Sequence, residues 1–334
     1  MKAITLNLQL PDKIEISDIE LSEISSNEVL VRVKAAALNH RDEWCRQGLY
    51  PNLKNGVVLG SDGAGIITEV SAEVDPSWIG KEVIINPAMN WGVDQRVQSK
   101  DFKILGMPDN GILAEYVKVP ADRVHLKPSH LNWAESAALP LGGLTAYRAV
   151  CVQGQINEGD KILVTGFGGG VAQFAVQFAL ANGAEVYVSS SRTEKIEKAK
   201  ELGVQNGFDY TDENWPDKAL EETAGFDLII DSAMGDTLDN LIKVIKPGGR
   251  IVFYGATKGN PKGFQARKVF WNQIQLIGST MGSDLDFERM LELVKEKKIV
   301  PVIDRVFELE DTVQAFDRMK EGLQTGKIVV QIEK

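Results

Sequence analysis

The chain has 334 residues, 43% hydrophobic and 25% charged, the balance of a soluble globular protein with length for roughly two domains. Its 47 acidic and 37 basic side chains give a net charge of −10, which repels phosphate backbones and argues against nucleic acid as a partner. No apolar run nears the ~20 residues that span a bilayer, the opening MKAITLNLQLPDKIEIS lacks the apolar core of a signal peptide, and two cysteines, Cys45 and Cys151, are too few for a disulfide framework; these features predict a cytoplasmic protein that does not enter a membrane.

In chain order, the first part reads as strands. KIEIS, EVLVRVKAAAL, AGIITEV, KEVIINP and ILAEYVKV are rich in Val and Ile and are bounded by Gly, Pro or Asn. One short helix is predicted at Arg41 to Arg46. Beyond Pro128 the rhythm changes to strand, then helix, repeatedly: KILVTG, EVYVSSS with TEKIEKAKELG, FDLIID with DTLDNLIKVIKPGG, and RIVFYG. That alternation predicts an α/β fold with a parallel sheet covered by helices. The end of the chain is mixed, with strands at QLIGSTM, RVFEL and KIVVQIE and helices at DFERMLELVKEKK and EDTVQAFDRMKEG. Pattern alone leaves open whether this tail extends the parallel sheet or returns to the first part.

The strand KILVT runs into Gly166-Phe167-Gly168-Gly169-Gly170-Val171-Ala172 and then into a helix, VAQFAVQFALAN, with Val171, Phe174, Ala175, Phe178 and Ala179 at helical spacing on one face. Strand, glycine turn and helix in that order are the context of a dinucleotide site: glycines let backbone N–H groups approach a pyrophosphate, and the helix start favours negative charge. The alternative is a tight turn with no ligand. At the tip of the next strand stand Ser189, Ser190, Ser191 and Arg192, followed by Lys195, with no carboxylate to bind a ribose 2′-hydroxyl. A guanidinium can grip a 2′-phosphate, so the predicted cofactor is NADPH. Otherwise Arg192 and Lys195 are a solvated helix start.

Several motifs carry a family resemblance: ALNHRDEW at 37–44, LGSDGAG at 59–65, LPLGGLTAYRAV at 139–150, the glycine run, KPGG at 246–249 and LIGSTMG at 276–282. With them the chain resembles the medium-chain dehydrogenase/reductase superfamily over essentially its full length. The resemblance implies a GroES-like β-rich catalytic domain at 1–125, a Rossmann doubly wound parallel sheet at 126–270, and a tail at 271–334 that returns to the catalytic domain, with the active site between the two domains. In zinc-dependent members the metal ligands fall on Asn39, Ser61 and about Leu141, and none of these residues is a good zinc ligand. The stretch AMNWGVDQRVQSKDFKILGMPDNG, where a structural-zinc lobe would stand, has no cysteine. The resemblance therefore points to the zinc-free quinone oxidoreductase and enone reductase branches, with no metal. Alignment through Ala172 puts Phe167 or Gly168 at the first fingerprint glycine.

The same resemblance supplies site residues. Tyr50 either donates to a substrate oxygen or protonates an enolate, or else only shapes the pocket, and Asn39 either donates through its amide or caps a loop. His40 either contacts cofactor phosphate or caps the next helix. Thr145 and Tyr254-Gly255-Ala256 fall along the cofactor beside Gly168, Gly169, Gly170, Val171, Ser190, Ser191, Arg192 and Lys195, and Ser279 and Thr280 approach it from the tail. Asp42 holds its loop and Ser61 bonds across the former metal cavity. Cys45 and Cys151 read as small buried apolar residues, and His125 and His130 as incidental. Three functions compete: an NADPH-dependent reductase of quinones, enones or alkenals; an alcohol or aldehyde dehydrogenase; and a non-enzymatic NADPH-binding protein. The small-molecule substrate is a carbonyl compound or quinone, and the superfamily's habit is a homodimer.

Overall fold

Glu28–Ala37, EVLVRVKAAA, is the longest strand of the first unit, and its Val29, Val31 and Val33 are fully buried. Alternate side chains of a strand point to opposite faces, so this spacing puts all three valines on one side. The structure, a computed structural model, describes residues 1–333. The chain divides into two units, Met1–Gly142 together with the chain from Ser283 onward, and Gly143–Gly282.

In the first unit a seven-stranded sheet runs in the order Ile303–Glu308, Lys327–Gln331, Glu28–Ala37, Asp62–Val70, Glu82–Ile85, Val124–Leu126, with Tyr116–Pro120 also paired to Glu28–Ala37. The C-terminal strand Lys327–Gln331 lies antiparallel to Glu28–Ala37, with Val329 opposite Ala37 and Gln331 opposite Ala35. Arg123 holds Asp284 at the start of the helix Asp284–Lys297, a second tie between this tail and the first strands.

The second unit is a six-stranded parallel sheet in the order Asn206–Asp209, Glu185–Ser190, Lys161–Val164, Phe226–Asp231, Ile245–Phe253, Gln275–Gly278. The order reverses at Lys161–Val164, the strand that feeds the glycine turn, as in a doubly wound Rossmann sheet. The helix Gly170–Ala181 buries Phe174, Ala175, Phe178 and Ala179, with Phe174 and Phe178 stacked 5.9 Å apart. Burying each such phenylalanine contributes about 1.5–3 kcal/mol. Gly183, at φ 78, closes the helix by donating its N–H to Leu180 O.

Two predicted elements end elsewhere. The helix proposed from DTLDNLIKVIKPGG stops at Val244, and KPGG lies inside the strand Ile245–Phe253. Phe226 pairs with Ile245 but Leu228 pairs with Arg250, so Pro247, Gly248 and Gly249 form an irregularity within the strand instead of a break. ILAEYVKV is a strand only from Tyr116, because Leu113 bonds with Ile4 and Leu59 outside the main ladder. The opening strand Lys2–Leu6 and the helices Trp215–Thr223 and Ala266–Trp271 carry weaker local patterns and were not predicted.

Candidate active site

The segment after Glu28–Ala37 turns into the helix His40–Gln47 at Asn39, which has extended backbone angles and is the N-cap. Asp42 Oδ2 accepts the Asn39 backbone N–H at 2.8 Å, satisfying a donor at the helix start. The Asn39 amide turns inward: Nδ2 donates to Asp62 Oδ2 at 3.0 Å, and Oδ1 accepts from Lys327 Nζ at 2.7 Å. Lys327 Nζ also reaches Asp62 Oδ2 at 2.8 Å, and the other Asp62 oxygen accepts the Leu141 N–H at 2.7 Å. Asp62 and Lys327 are buried, so each depends on the other for charge compensation.

Beside them lies a second cation. Arg41 Nη1 donates to Ser61 Oγ at 2.6 Å and to Leu105 O at 2.8 Å, and Nη2 donates to Met107 O. Arg41 Nε donates to Tyr50 Oη at 3.3 Å, with the guanidinium carbon 4.8 Å from the ring centre. Tyr50, Arg41 and Ser61 thus form one polar network, joined through the neighbouring Asp42 to Asn39, Asp62 and Lys327. Burial pushes the Asp42 carboxyl up to about 6 against the opposing pull of Arg41, and its Oδ1 is buried without a hydrogen-bond partner.

Arg41 and Lys327 are the functional candidates that the sequence did not reveal. Arg41 sat unassigned inside ALNHRDEW. Lys327 opens a strand whose next three residues, Ile328, Val329 and Val330, are apolar, 288 residues from Asn39, and a lysine at such a position gives no local sign of its partner.

These residues do not fit a zinc ion. Zinc takes thiolate, imidazole or carboxylate donors. Asn39 Oδ1 and Asp62 Oδ2 instead face an ammonium, Ser61 Oγ faces a guanidinium, and Leu141 offers no side-chain donor. Among the described residues no group of three or more His, Cys, Asp or Glu side chains is placed to hold a metal. In the cysteine-free lobe, Trp91 and Phe102 pack edge to face at 5.4 Å, and Ala88–Met89 pairs with Lys103–Ile104. The histidines and cysteines lie outside the network: His125 packs on Phe287 and burial pushes its pKa down to about 4, His130 bonds Ile299 O, and burial pushes the Cys45 thiol up to about 12.

In the second unit the glycine turn fits a dinucleotide phosphate. Gly168 has φ 132, a conformation side chains rarely adopt, and a Cβ there would stand 2.7 Å from Lys195 Nζ. Gly169 caps and Gly170 begins a twelve-residue helix that has no side-chain cap bond and no acidic residue in its first turn. A lysine side chain beside a glycine turn at a helix start is an arrangement compatible with an anion. Val171 is partly exposed there, and Ser191 and Arg192 are exposed at the tip of the second strand. Ser190 is buried, and its hydroxyl donates to Phe167 O, so it shapes the turn from behind. The Thr145 hydroxyl donates to Met281 Sδ at 3.8 Å. Tyr254 bonds Ser232, and burial raises its pKa above the usual phenol value; Gly255 and Ala256 follow it toward the surface. Ser279 Oγ is buried and has no hydrogen-bond partner. His40 is exposed at the first position of its helix, leaving the N-cap to Asn39, and its ring tilts toward Trp44 at 6.4 Å.

Comparison with known proteins defines the class. An alcohol dehydrogenase GroES-like domain matches residues 25–129, and a zinc-binding dehydrogenase domain matches residues 170–296. The chain belongs to the medium-chain dehydrogenase/reductase superfamily, and it is an oxidoreductase of that family. Its relatives include a zinc-type alcohol dehydrogenase-like protein YogA of Leptosphaeria maculans, 39% identical over 317 residues, covering 90% of this chain and 88% of the relative. An NADPH-dependent alkenal/one oxidoreductase, chloroplastic, of Arabidopsis thaliana is 32% identical over 94% of this chain and 74% of its own length. Among solved structures, an NAD-dependent alcohol dehydrogenase superposes with a TM-score of 0.94 at 34% identity, over the full length of both chains.

Proposed function

We propose that the chain is an NADPH-dependent reductase of α,β-unsaturated carbonyl compounds or quinones that works without zinc. One observation carries this reading: two side-chain cations, Lys327 and Arg41, engage Asn39 and Ser61, two of the three residues that the family resemblance aligns with metal ligands. Oxidising a simple alcohol without a Lewis acid leaves the alkoxide unsupported. An enone or quinone spreads incoming charge onto an oxygen that hydrogen-bond donors can stabilise.

NADPH, when bound, supplies the hydride. Gly168, Gly169, Gly170 and Lys195 hold its pyrophosphate through backbone N–H groups and an ammonium, and Arg192 takes the 2′-phosphate. Asn39 donates to the substrate's carbonyl oxygen. Tyr50, its oxygen accepting from Arg41, keeps its own O–H for donation and protonates the reduced product. Cys45 and Cys151, which form no disulfide, suit a reducing cytoplasm. No helix among the described residues is long and apolar enough to cross a membrane. A homodimer is supported by the edge strand Gln275–Gly278 and by Phe270 and Trp271, 67% and 78% exposed on the preceding helix.

The alcohol dehydrogenase reading has its own support in the NAD-dependent structural neighbour. Steady-state assays of trans-2-hexenal and 1,4-benzoquinone with NADPH, set against ethanol with NAD, separate the two. Faster turnover of ethanol contradicts the proposal. Tight NADPH binding without turnover of any acceptor leaves only a binding protein.

A further inference from the structure

We propose that Lys327 is a positioning residue that fixes Asn39 as a hydrogen-bond donor to the substrate's oxygen. This rests on the reading of the chain as a reductase that stabilises an oxyanion with organic donors. An asparagine amide has an accepting end and a donating end of nearly the same shape, and its surroundings decide which faces where. At Asn39 the surroundings leave one choice. An ammonium only donates, and Lys327 Nζ lies 2.7 Å from Oδ1; an ionised carboxylate only accepts, and Asp62 Oδ2 lies 3.0 Å from Nδ2. Turned over, the amide would set NH2 against an ammonium and oxygen against a carboxylate. Two charge-assisted bonds would become two repulsive contacts.

The arrangement is fixed from behind. Lys327 Nζ bridges Asn39 to Asp62, and the Leu141 N–H holds the second oxygen of Asp62. Lys327 itself is 2% exposed, too enclosed to meet a substrate, while Asn39 keeps 9% of its surface open. Only one of the two Nδ2 hydrogens is taken by Asp62. The second is left to a substrate oxygen, and an ammonium on Oδ1 polarises the amide and strengthens that donor. The lysine therefore acts on the reaction through Asn39, at a position where a metal would act on the oxygen directly.

The experiment uses the full chain. Lys327→Met alone strands a buried carboxylate and endangers folding. The informative variant is Lys327→Met with Asp62→Asn, which removes both charges and keeps an acceptor for the Leu141 N–H. With NADPH and trans-2-hexenal its kcat is expected to fall about 10²-fold, the loss typical of one oxyanion donor, with an unchanged KM for NADPH. Lys327→Arg, which retains the cation, should recover most of that loss. A second readout needs no turnover. In protein labelled with ¹⁵N at asparagine, the two Asn39 side-chain amide hydrogens should exchange with solvent at unequal rates in the wild type and at similar rates in the double variant. A double variant with wild-type kcat, or equal exchange in the wild type, overturns the proposal. If the wild type reduces neither the enal nor 1,4-benzoquinone, the reductase reading and the role toward substrate fall together; unequal exchange then shows the amide's orientation surviving alone.

Discussion

Asp42 sits at the meeting point of the two cations. It is fully buried, faces Arg41, Asp62 and Lys327, and binds its proton with a pKa raised to about 6. A carboxyl whose folded pKa exceeds its unfolded value binds more protons in the native state, so its contribution to stability is present below about pH 4 and is lost as the pH rises through about 6. Asp42→Asn keeps an acceptor for the Asn39 N–H but cannot titrate. Denaturant unfolding of both proteins from pH 4.5 to 7.5 should show wild type losing stability relative to the variant across that window; parallel curves would contradict the shift. Tyr50→Phe removes the proposed proton donor and is expected to lower kcat on trans-2-hexenal by about 10²-fold with the KM for NADPH unchanged. An unaffected kcat would reduce Tyr50 to a pocket wall. At this scale the sequence motifs led to Asn39 and Tyr50, but not to what stands behind them. Arg41 reaches Leu105 and Met107, 64 and 66 residues on, and Lys327 comes from the last strand, so neither partnership leaves a local trace.

Elements whose logic is local were legible in the sequence. The glycine turn, its strand and its helix are specified within about twenty residues by glycine, an apolar run and helical spacing. The turn also makes a sharp prediction. Gly168→Ala must place a methyl group against Lys195 at a backbone angle that alanine avoids. Its NADPH affinity, measured by fluorescence titration, should fall at least about tenfold while the circular dichroism of the protein is unchanged. Undiminished affinity would mean that this loop does not carry the pyrophosphate. Where a residue has both a local and a long-range use, sequence reading failed. Pro247, Gly248 and Gly249 punctuate the sequence as a stop, yet the neighbouring strand absorbs them as an irregularity. The apolar run of KIVVQIE announced a strand, but an apolar run does not name a partner, and its pairing with Glu28–Ala37 depends on contacts some 290 residues apart.

For the whole molecule, membership in the medium-chain dehydrogenase/reductase superfamily brings a description, zinc-binding dehydrogenase, that the local chemistry does not match. Asn39 and Ser61 face side-chain cations already matched by Asp62 and backbone carbonyls, and Leu141 offers only its backbone N–H, to Asp62. Dimer formation is a separate question at the same scale. If the exposed Phe270 and Trp271 cover a subunit interface, Phe270→Ser with Trp271→Ser should halve the mass measured by light scattering, and an unchanged mass would exclude that face. The most direct test of the central claim combines elemental analysis with turnover in one sample. After dialysis against a strong chelator, the protein should carry well under one zinc per chain and reduce trans-2-hexenal with NADPH at its full rate. About one tightly held zinc per chain, with activity lost on its removal and restored on its return, would contradict the account.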